Sequence, residues 1–153
     1  MSKWILKIIA APETNLFLFA FLLNFVYEVW QSPYFEFYNM PLLADKIEYI
    51  THCTVGDGVI TIFSFWIVSV LRGSRYWLLN STWKLTLLFT ALGWIYTFIS
   101  EIYRVQIAKL YGVSVLVIPG VGISWLPLLQ WIILPPLVLY MTKRHLLGYR
   151  RKD

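Results

Sequence analysis

Four long apolar stretches, separated by short polar segments, constrain this chain more than any other feature of its sequence. They run from about Asn15 to Trp30, Thr51 to Leu71, Trp83 to Tyr103 and Ser124 to Met141. Each approaches the roughly 20 residues with which an α-helix crosses a hydrocarbon core of about 30 Å. The pattern predicts an all-α fold, an integral membrane four-helix bundle whose transmembrane domain covers residues 13–145.

The composition supports a membrane environment and excludes several classes of function. Charged residues make up 14% of the chain, whereas soluble domains carry about 25%. The 18% of aromatic residues includes many of the Trp and Tyr that settle at membrane interfaces. The single cysteine, Cys53, excludes an internal disulfide and a cysteine-based zinc site. The net charge of +5 comes from residues at the ends of the apolar stretches. We therefore predict membrane lipids as partners, and no cofactor, metal ion or nucleic acid.

The distribution of lysine and arginine predicts how the spans are oriented. Most of the 13 such residues lie in the N-terminal segment, the second connection and the C-terminal tail. The first and third connections hold only Lys46, Arg104 and Lys109. Because cytoplasmic loops carry the excess of positive charge, we predict a multi-pass protein of the bacterial inner membrane with both termini in the cytoplasm.

Three flanking segments have patterns of their own. Residues 1–12 place Trp4 and Ile8 on one helical face and lysines on the other, which is typical of an amphipathic helix in the membrane interface. Residues 113–123 read VSVLVIPGVGI and are too short to span, so they predict an ordered cap over the outer face of the bundle. Residues 146–153 predict a basic cytoplasmic tail.

Polar side chains recur on one face of each apolar stretch. They are Asn24, Glu28 and Gln31 in the first, Asp57 in the second, Glu101 and Arg104 in the third and Gln130 in the fourth. Spacings of three and four residues align such groups along a helix, and the predicted topology puts all of them in the outer half of the membrane. A charge at mid-bilayer costs at least about 2.5–3.5 kcal/mol, so these residues should face inward. We predict that Glu28, Asp57 and Glu101 line one cavity, with Arg104 at its rim.

The carboxylates are the candidates for chemistry. We expect Asp57, with Glu28 or Glu101, to form an acid–base pair, because two carboxyl groups in one apolar site can divide the two roles. Gly56 and Gly58 flank Asp57 and favour open space beside it. The candidate ligand contacts are Asn24, Gln31, His52, Arg104 and Gln130.

A structural interpretation of the same residues stays open at this stage. Interhelical polar contacts stabilise membrane bundles by about 0.6 kcal/mol each. An alternative role for Gln130 is to satisfy a carbonyl freed by Pro127, which with Pro135 and Pro136 is predicted to kink the fourth helix. His52 is typical of a residue at the membrane interface.

Three motifs resemble those of a known group of proteins. They are N-x3-E-x2-Q-x-P from Asn24 to Pro33, H-x3-G-D from His52 to Asp57, and P-L-L-Q-W-x3-P-P from Pro127 to Pro136. Together they resemble a group of small bacterial four-span membrane proteins, and the resemblance implies the span layout without any chemistry. The layout is also similar to that of the emopamil-binding sterol isomerase and sigma-2 group, in which carboxylates face a lipid-like ligand, although the motifs differ.

Three functions are compatible with these patterns, and whether the protein is an enzyme stays open. The first is binding or conversion of a hydrophobic small molecule, such as a lipid or isoprenoid, by carboxylate acid–base chemistry. The second is a non-catalytic accessory or structural membrane subunit, in which the polar cluster only joins helices. The third, proton-linked transport, needs polar groups along the whole path, and the inner halves of the spans offer few.

Overall fold

The computed structural model describes residues 8–35, 42–113 and 115–150, with side chains as far as residue 148. Within these ranges the chain forms four long α-helices and no β-strand, which confirms the prediction of an all-α bundle. Most of the predicted interfacial helix, residues 1–7, and the end of the predicted tail, residues 151–153, lie outside the described residues.

Each apolar stretch lies almost entirely within one helix, and two of the helices are longer than predicted. They are α1 (Pro12–Gln31), α2 (Leu43–Arg72), α3 (Trp83–Ile102) and α4 (Trp125–Arg150). Single 3₁₀ turns at Ser32–Tyr34 and Trp77–Asn80 follow α1 and α2, and a π-helical turn at Tyr103–Ile107 extends α3. Residues 43–50, which precede the second apolar stretch, are helical and continue directly into α2.

Local sequence explains several of the helix ends. Pro12 occupies the first position of α1, where its missing N–H would be unpaired in any residue, and Glu13 places an acid in the first turn. Gly73 ends α2 with a φ of 62°, a left-handed conformation that glycine adopts without strain. Arg75 forms a salt bridge with Glu13, so the start of α1 and the end of α2 lie at the same end of the bundle.

Three helices are long and apolar enough to cross a membrane: α2, α3 together with its π turn, and α4. Large apolar side chains on the outside of these helices are exposed, among them Val70, Trp83 and Ile133. Exposed apolar surface on this scale fits a hydrocarbon environment. The protein is therefore a membrane protein.

The first helix differs from the other three in apolarity. Its 20 residues include Asn15, Asn24, Glu28 and Gln31, which are all polar, and α1 is not among the helices that meet the criteria for a span. Among the described residues, three of the four predicted spans are thus long and apolar enough to cross a membrane, and α1 is not.

The helices form a closed ring in which each packs against the next in sequence and α1 also packs against α4. One half of this ring is filled by apolar side chains around Phe65, Trp77 and Phe89, whose rings pack against one another. Leu16 and Val138 complete this apolar half from α1 and α4. The residues Glu28, Asp57, Glu101 and Gln130 lie in the other half.

The prolines of α4 do not interrupt it. Pro127 falls in the first turn, where a missing N–H removes no helical hydrogen bond. Pro135 and Pro136 lie inside the helix, yet α4 continues through them to its end. The fourth helix is therefore continuous at both residues, and the kink expected there stays a prediction.

The segment before α4 forms a compact turn. The Ile118 amide donates to the Ile123 carbonyl at 2.8 Å, and Gly120 and Gly122 both adopt positive φ values. Ile123 is fully buried, whereas Val115 and Leu116 are exposed. The segment is thus folded back on itself beside the end of α3, where Gln106 donates to the Val121 carbonyl.

Candidate functional site

A cavity of about 160 Å³ lies in the polar half of the bundle, where α1 and α3 end and α4 begins. All four helices contribute to its walls, and Phe35 and Tyr111 from the connections close its end. Six of the residues singled out in the sequence line it: Glu28, Gln31, Asp57, Glu101, Arg104 and Gln130. We call this space the polar cavity. As expected, the three carboxylates share it.

Gln130 is the centre of the hydrogen bonds beneath the polar cavity. Its side chain is only 2% exposed. Its amide nitrogen, Nε2, donates to Asn24 Oδ1 at 2.7 Å, to Asp57 Oδ2 at 3.0 Å and to Glu28 Oε1 at 3.3 Å. One side chain of α4 therefore joins α1 and α2. The alternative in which Gln130 serves a carbonyl freed by Pro127 has no support in these contacts.

The three acceptors on this nitrogen outnumber its hydrogens, because an amide group carries only two. Asn24 and Asp57 make the two shorter contacts, and Glu28 makes the longest. The carboxyl groups of Glu28 and Asp57 meet at this single donor, so two negative charges would lie side by side in a largely apolar bundle. Two carboxyl groups so placed favour a state in which one holds a proton.

The amides of Asn24 and Gln31 lie on either side of this centre. Asn24 also donates to the Ala20 carbonyl at 2.8 Å, and it borders a smaller space beneath the polar cavity instead of lining the cavity itself. Gln31 donates to Gln130 Oε1 at 3.2 Å. Its own oxygen, Oε1, is buried and has no hydrogen-bond partner among the described residues.

Glu101 is fixed on the opposite wall by a residue that the sequence did not suggest. Its Oε1 accepts a hydrogen bond from the Tyr111 hydroxyl at 2.6 Å, while Oε2 is buried without a partner in the described part of the chain. Burial raises the pKa of the Tyr111 phenol above its ordinary value, and the adjacent Glu101 carboxylate raises it further. Tyr111 therefore stays protonated and acts as a donor.

Arg104 is the single cation among the described residues that line the polar cavity. It lies in the π-helical turn that extends α3, and turns of this type often occur at functional sites. It interacts electrostatically with Glu28, Asp57 and Glu101. It makes no ion pair within 4 Å with a carboxylate of the described residues. Its guanidinium group thus offsets part of the negative charge without pairing directly with one acid.

Trp131 forms part of the wall because Gly93 allows a close approach. A Cβ atom at Gly93 would overlap the Trp131 ring, so the absence of a side chain lets α4 pack directly on α3. Small residues commonly permit such packing between membrane helices. The sequence signal for this contact is the isolated glycine in the third apolar stretch.

His52 is not part of the site. Its side chain is exposed and does not line the polar cavity, while its neighbour Cys53 does. The cavity-facing side of α2 is instead formed by Tyr49, Cys53 and Asp57, which are four residues apart. The prediction of His52 as a ligand contact is therefore not supported by its position.

The chemistry of the site is that of carboxylates, amides and phenols. No group of three or more potential metal ligands occurs among the described residues. Comparison with protein-family models, curated proteins and solved structures finds no match to this chain.

Proposed function

We propose that the polar cavity binds the polar part of a hydrophobic small molecule, a lipid or an isoprenoid-like compound, and converts it by acid–base chemistry. The observation that carries this proposal is the shared donor of Glu28 and Asp57, the Nε2 of Gln130. A pair of carboxyl groups that holds one proton between them supplies both an acid and a base at one place.

The roles of the residues follow from their contacts. The protonated member of the Glu28–Asp57 pair gives its proton to one position of the substrate, and the ionised carboxylate removes a proton from another. Gln130 is a positioning residue, because it holds both carboxyl groups through one amide. Asn24 and Gln31 fix Gln130 in turn.

The size of the polar cavity supports a ligand that is only partly enclosed. A water molecule takes about 30 Å³ in the liquid, so about 160 Å³ accommodates a group of a few heavy atoms. A complete lipid or isoprenoid does not fit. The hydrocarbon part would remain among the lipid chains outside the bundle.

We further propose that all four helices cross the membrane, with both termini on the cytoplasmic side. α1 packs against α2 and α4, and its 20 residues equal α3 in length. Its polar residues Asn24 and Gln31 are buried inside the ring instead of facing lipid. With this orientation the polar cavity opens in the outer leaflet of the inner membrane.

Mass spectrometry of lipids that co-purify with the protein tests the proposal. We expect one lipid class to be enriched on the wild type relative to the bulk membrane extract. Asp57→Asn should keep the bound class but change the ratio of substrate to product. Asp45→Asn is the matched control, because Asp45 is an exposed residue of the same helix. Bulk lipid composition on every variant would contradict the proposal.

One observation favours a second candidate, a non-catalytic accessory subunit. The bonds of Gln130 join three helices, as a purely structural polar contact would. In that case Asp57→Asn lowers the unfolding temperature, and no lipid class is enriched. Transport is less well supported, because the other half of the ring is filled by apolar side chains.

A further inference from the structure

Two buried oxygens of the polar cavity lack a donor. They are Gln31 Oε1 and Glu101 Oε2, on residues that are 3% and 4% exposed, and neither has a hydrogen-bond partner among the described residues. The two residues lie on α1 and α3, which face each other across the ring. Buried acceptors are normally paired, so a group that completes them carries hydrogen-bond donors.

The remaining lining residues strengthen this preference. Among the described residues, three carboxylates and one guanidinium group line the polar cavity. Glu28 makes only the longest of the three contacts to Gln130. Even if Glu28 and Asp57 share one proton, two ionised carboxylates remain against the single positive charge of Arg104. Hydrogen-bond acceptors and negative charge are thus in excess in the polar cavity. This excess disfavours a ligand with an anionic head group and favours one whose head group donates hydrogen bonds.

The polar cavity also reaches the outside of the bundle between α2 and α3. Val59 of α2 and Tyr96 of α3 both line it, and they are 43% and 54% exposed. Beside them lies Gly56, where an added Cβ would have nothing within 4 Å. Both helices are long and apolar enough to span a membrane, so this opening faces lipid chains.

We propose that the polar cavity holds the head of a single-chain amphiphile. A primary ammonium head donates to both Glu101 Oε2 and Gln31 Oε1, whereas a hydroxyl head, which has one hydrogen, donates to one of the two. The hydrocarbon chain leaves between α2 and α3, past Gly56. This proposal rests on the proposed function and specifies its ligand class.

A series of twelve-carbon probes tests the head group. Dodecylamine, dodecanol, dodecyltrimethylammonium and dodecanoate share one chain, and their binding to the purified protein in a nonionic detergent is measured by native mass spectrometry. We expect dodecylamine or dodecanol, or both, to bind at least about tenfold more tightly than the other two. The stronger of these two identifies ammonium or hydroxyl as the source of the donors. Equal binding of dodecyltrimethylammonium, which has no donor, would overturn the proposal, and so would preference for dodecanoate.

Two substitutions test the placement of the head and chain. Glu101→Gln keeps the size of the side chain but can turn an acceptor into a donor, so we expect at least about tenfold weaker binding of the preferred probe. Gly56→Leu should block the opening and weaken binding of the same probe by a similar factor. Gly148→Leu is its matched control, because Gly148 is an exposed helical glycine whose added Cβ also meets nothing within 4 Å.

The outcomes separate this inference from the proposed function. If Gly56→Leu does not fold, Val59→Trp narrows the same opening from an exposed position. If folded Glu101→Gln and folded Gly56→Leu or Val59→Trp bind the preferred probe as tightly as the wild type, the inference about the head group and the opening is overturned. The proposed function would still stand in that case, since a lipid class could still co-purify. Failure of every probe, together with bulk lipid composition on the wild type, would overturn both.

Discussion

The side chains of Gln130 and Asp57 are joined across the bundle by a hydrogen bond of 3.0 Å between Nε2 and Oδ2. This bond links the start of α4 to the middle of α2, and it belongs to the set through which Gln130 also contacts Asn24, Glu28 and Gln31. The site and the helix packing therefore depend on one amide.

Gln130→Leu should destabilise the protein, because it removes these bonds, including the one that Gln130 donates to the Asp57 carboxylate. At about 0.6 kcal/mol per interhelical bond, the loss in the free energy of unfolding should approach 2 kcal/mol. Unfolding of the purified protein in detergent measures it. Gln106→Leu is the control, because Gln106 is exposed and donates only to a loop carbonyl. Equal stability of both variants would show that the bonds of Gln130 contribute little.

Gly93→Ala should also destabilise the bundle, for a steric reason. The added methyl group would overlap the Trp131 ring, so either the ring or α4 must shift. Overpacking of this kind costs about 1–3 kcal/mol. The displaced ring should also change the tryptophan fluorescence and weaken binding in the polar cavity.

Gly148→Ala provides the comparison for this steric effect. Both substitutions gain the same helix propensity, worth up to about 1 kcal/mol, but an added Cβ at Gly148 meets nothing. The expected result is a lower unfolding temperature for Gly93→Ala and an unchanged or higher one for Gly148→Ala. A tolerated alanine at Gly93 would show that α3 and α4 can separate freely.

Hydropathy and spacing made much of this architecture predictable. Each apolar stretch lies almost entirely within one helix because each helix must cover a similar thickness of hydrocarbon, although α2 and α4 extend beyond their stretches to 30 and 26 residues. Spacings of three and four residues placed Glu28, Asp57 and Glu101 on inward faces, and these residues do share one cavity. The start of α2 was missed because Asp45 and Glu48 end the apolar stretch without ending the helix.

Other parts of the site could not be read from local patterns. Tyr111 lies outside the apolar stretches, and its bond to Glu101 depends on the path of the π-helical turn between them. Cys53 and His52 are adjacent in sequence, but a helix turns about 100° per residue, so only one of them faces the cavity. Which of the two residues faces the cavity depends on how α2 is rotated relative to the neighbouring helices.

Tyr111→Phe should lower the free energy of unfolding at neutral pH and change how that free energy depends on pH above about 10. The substitution leaves both oxygens of buried Glu101 without a partner, which costs about 1–3 kcal/mol. The folded-state pKa of Tyr111 is raised above the unfolded value of about 10. The stability from this shift is therefore fully present below about pH 10 and is lost as the pH rises towards the folded value.

Unfolding measured at a series of pH values separates these two effects. From about pH 10 upward the wild type should lose stability more steeply than Tyr111→Phe, so the difference between their free energies of unfolding should shrink. Tyr140→Phe is the control, because Tyr140 is an exposed residue of α4. Parallel pH curves for the wild type and Tyr111→Phe would show that Tyr111 is not held in its neutral form.

The proposed orientation predicts which connections are accessible from outside the cell. Cys53 is the single cysteine, so Cys53→Ser provides a background for one new cysteine at a time. Ser74→Cys tests the connection between α2 and α3, and Leu110→Cys tests the connection between α3 and α4; both positions are exposed.

A membrane-impermeant maleimide added to intact cells should label Leu110→Cys and leave Ser74→Cys unlabelled, whereas both should react after lysis. The reverse pattern would place both termini outside and the polar cavity in the cytoplasmic leaflet. Labelling of both sites in intact cells would mean that α3 does not cross the membrane, which its length and apolarity argue against.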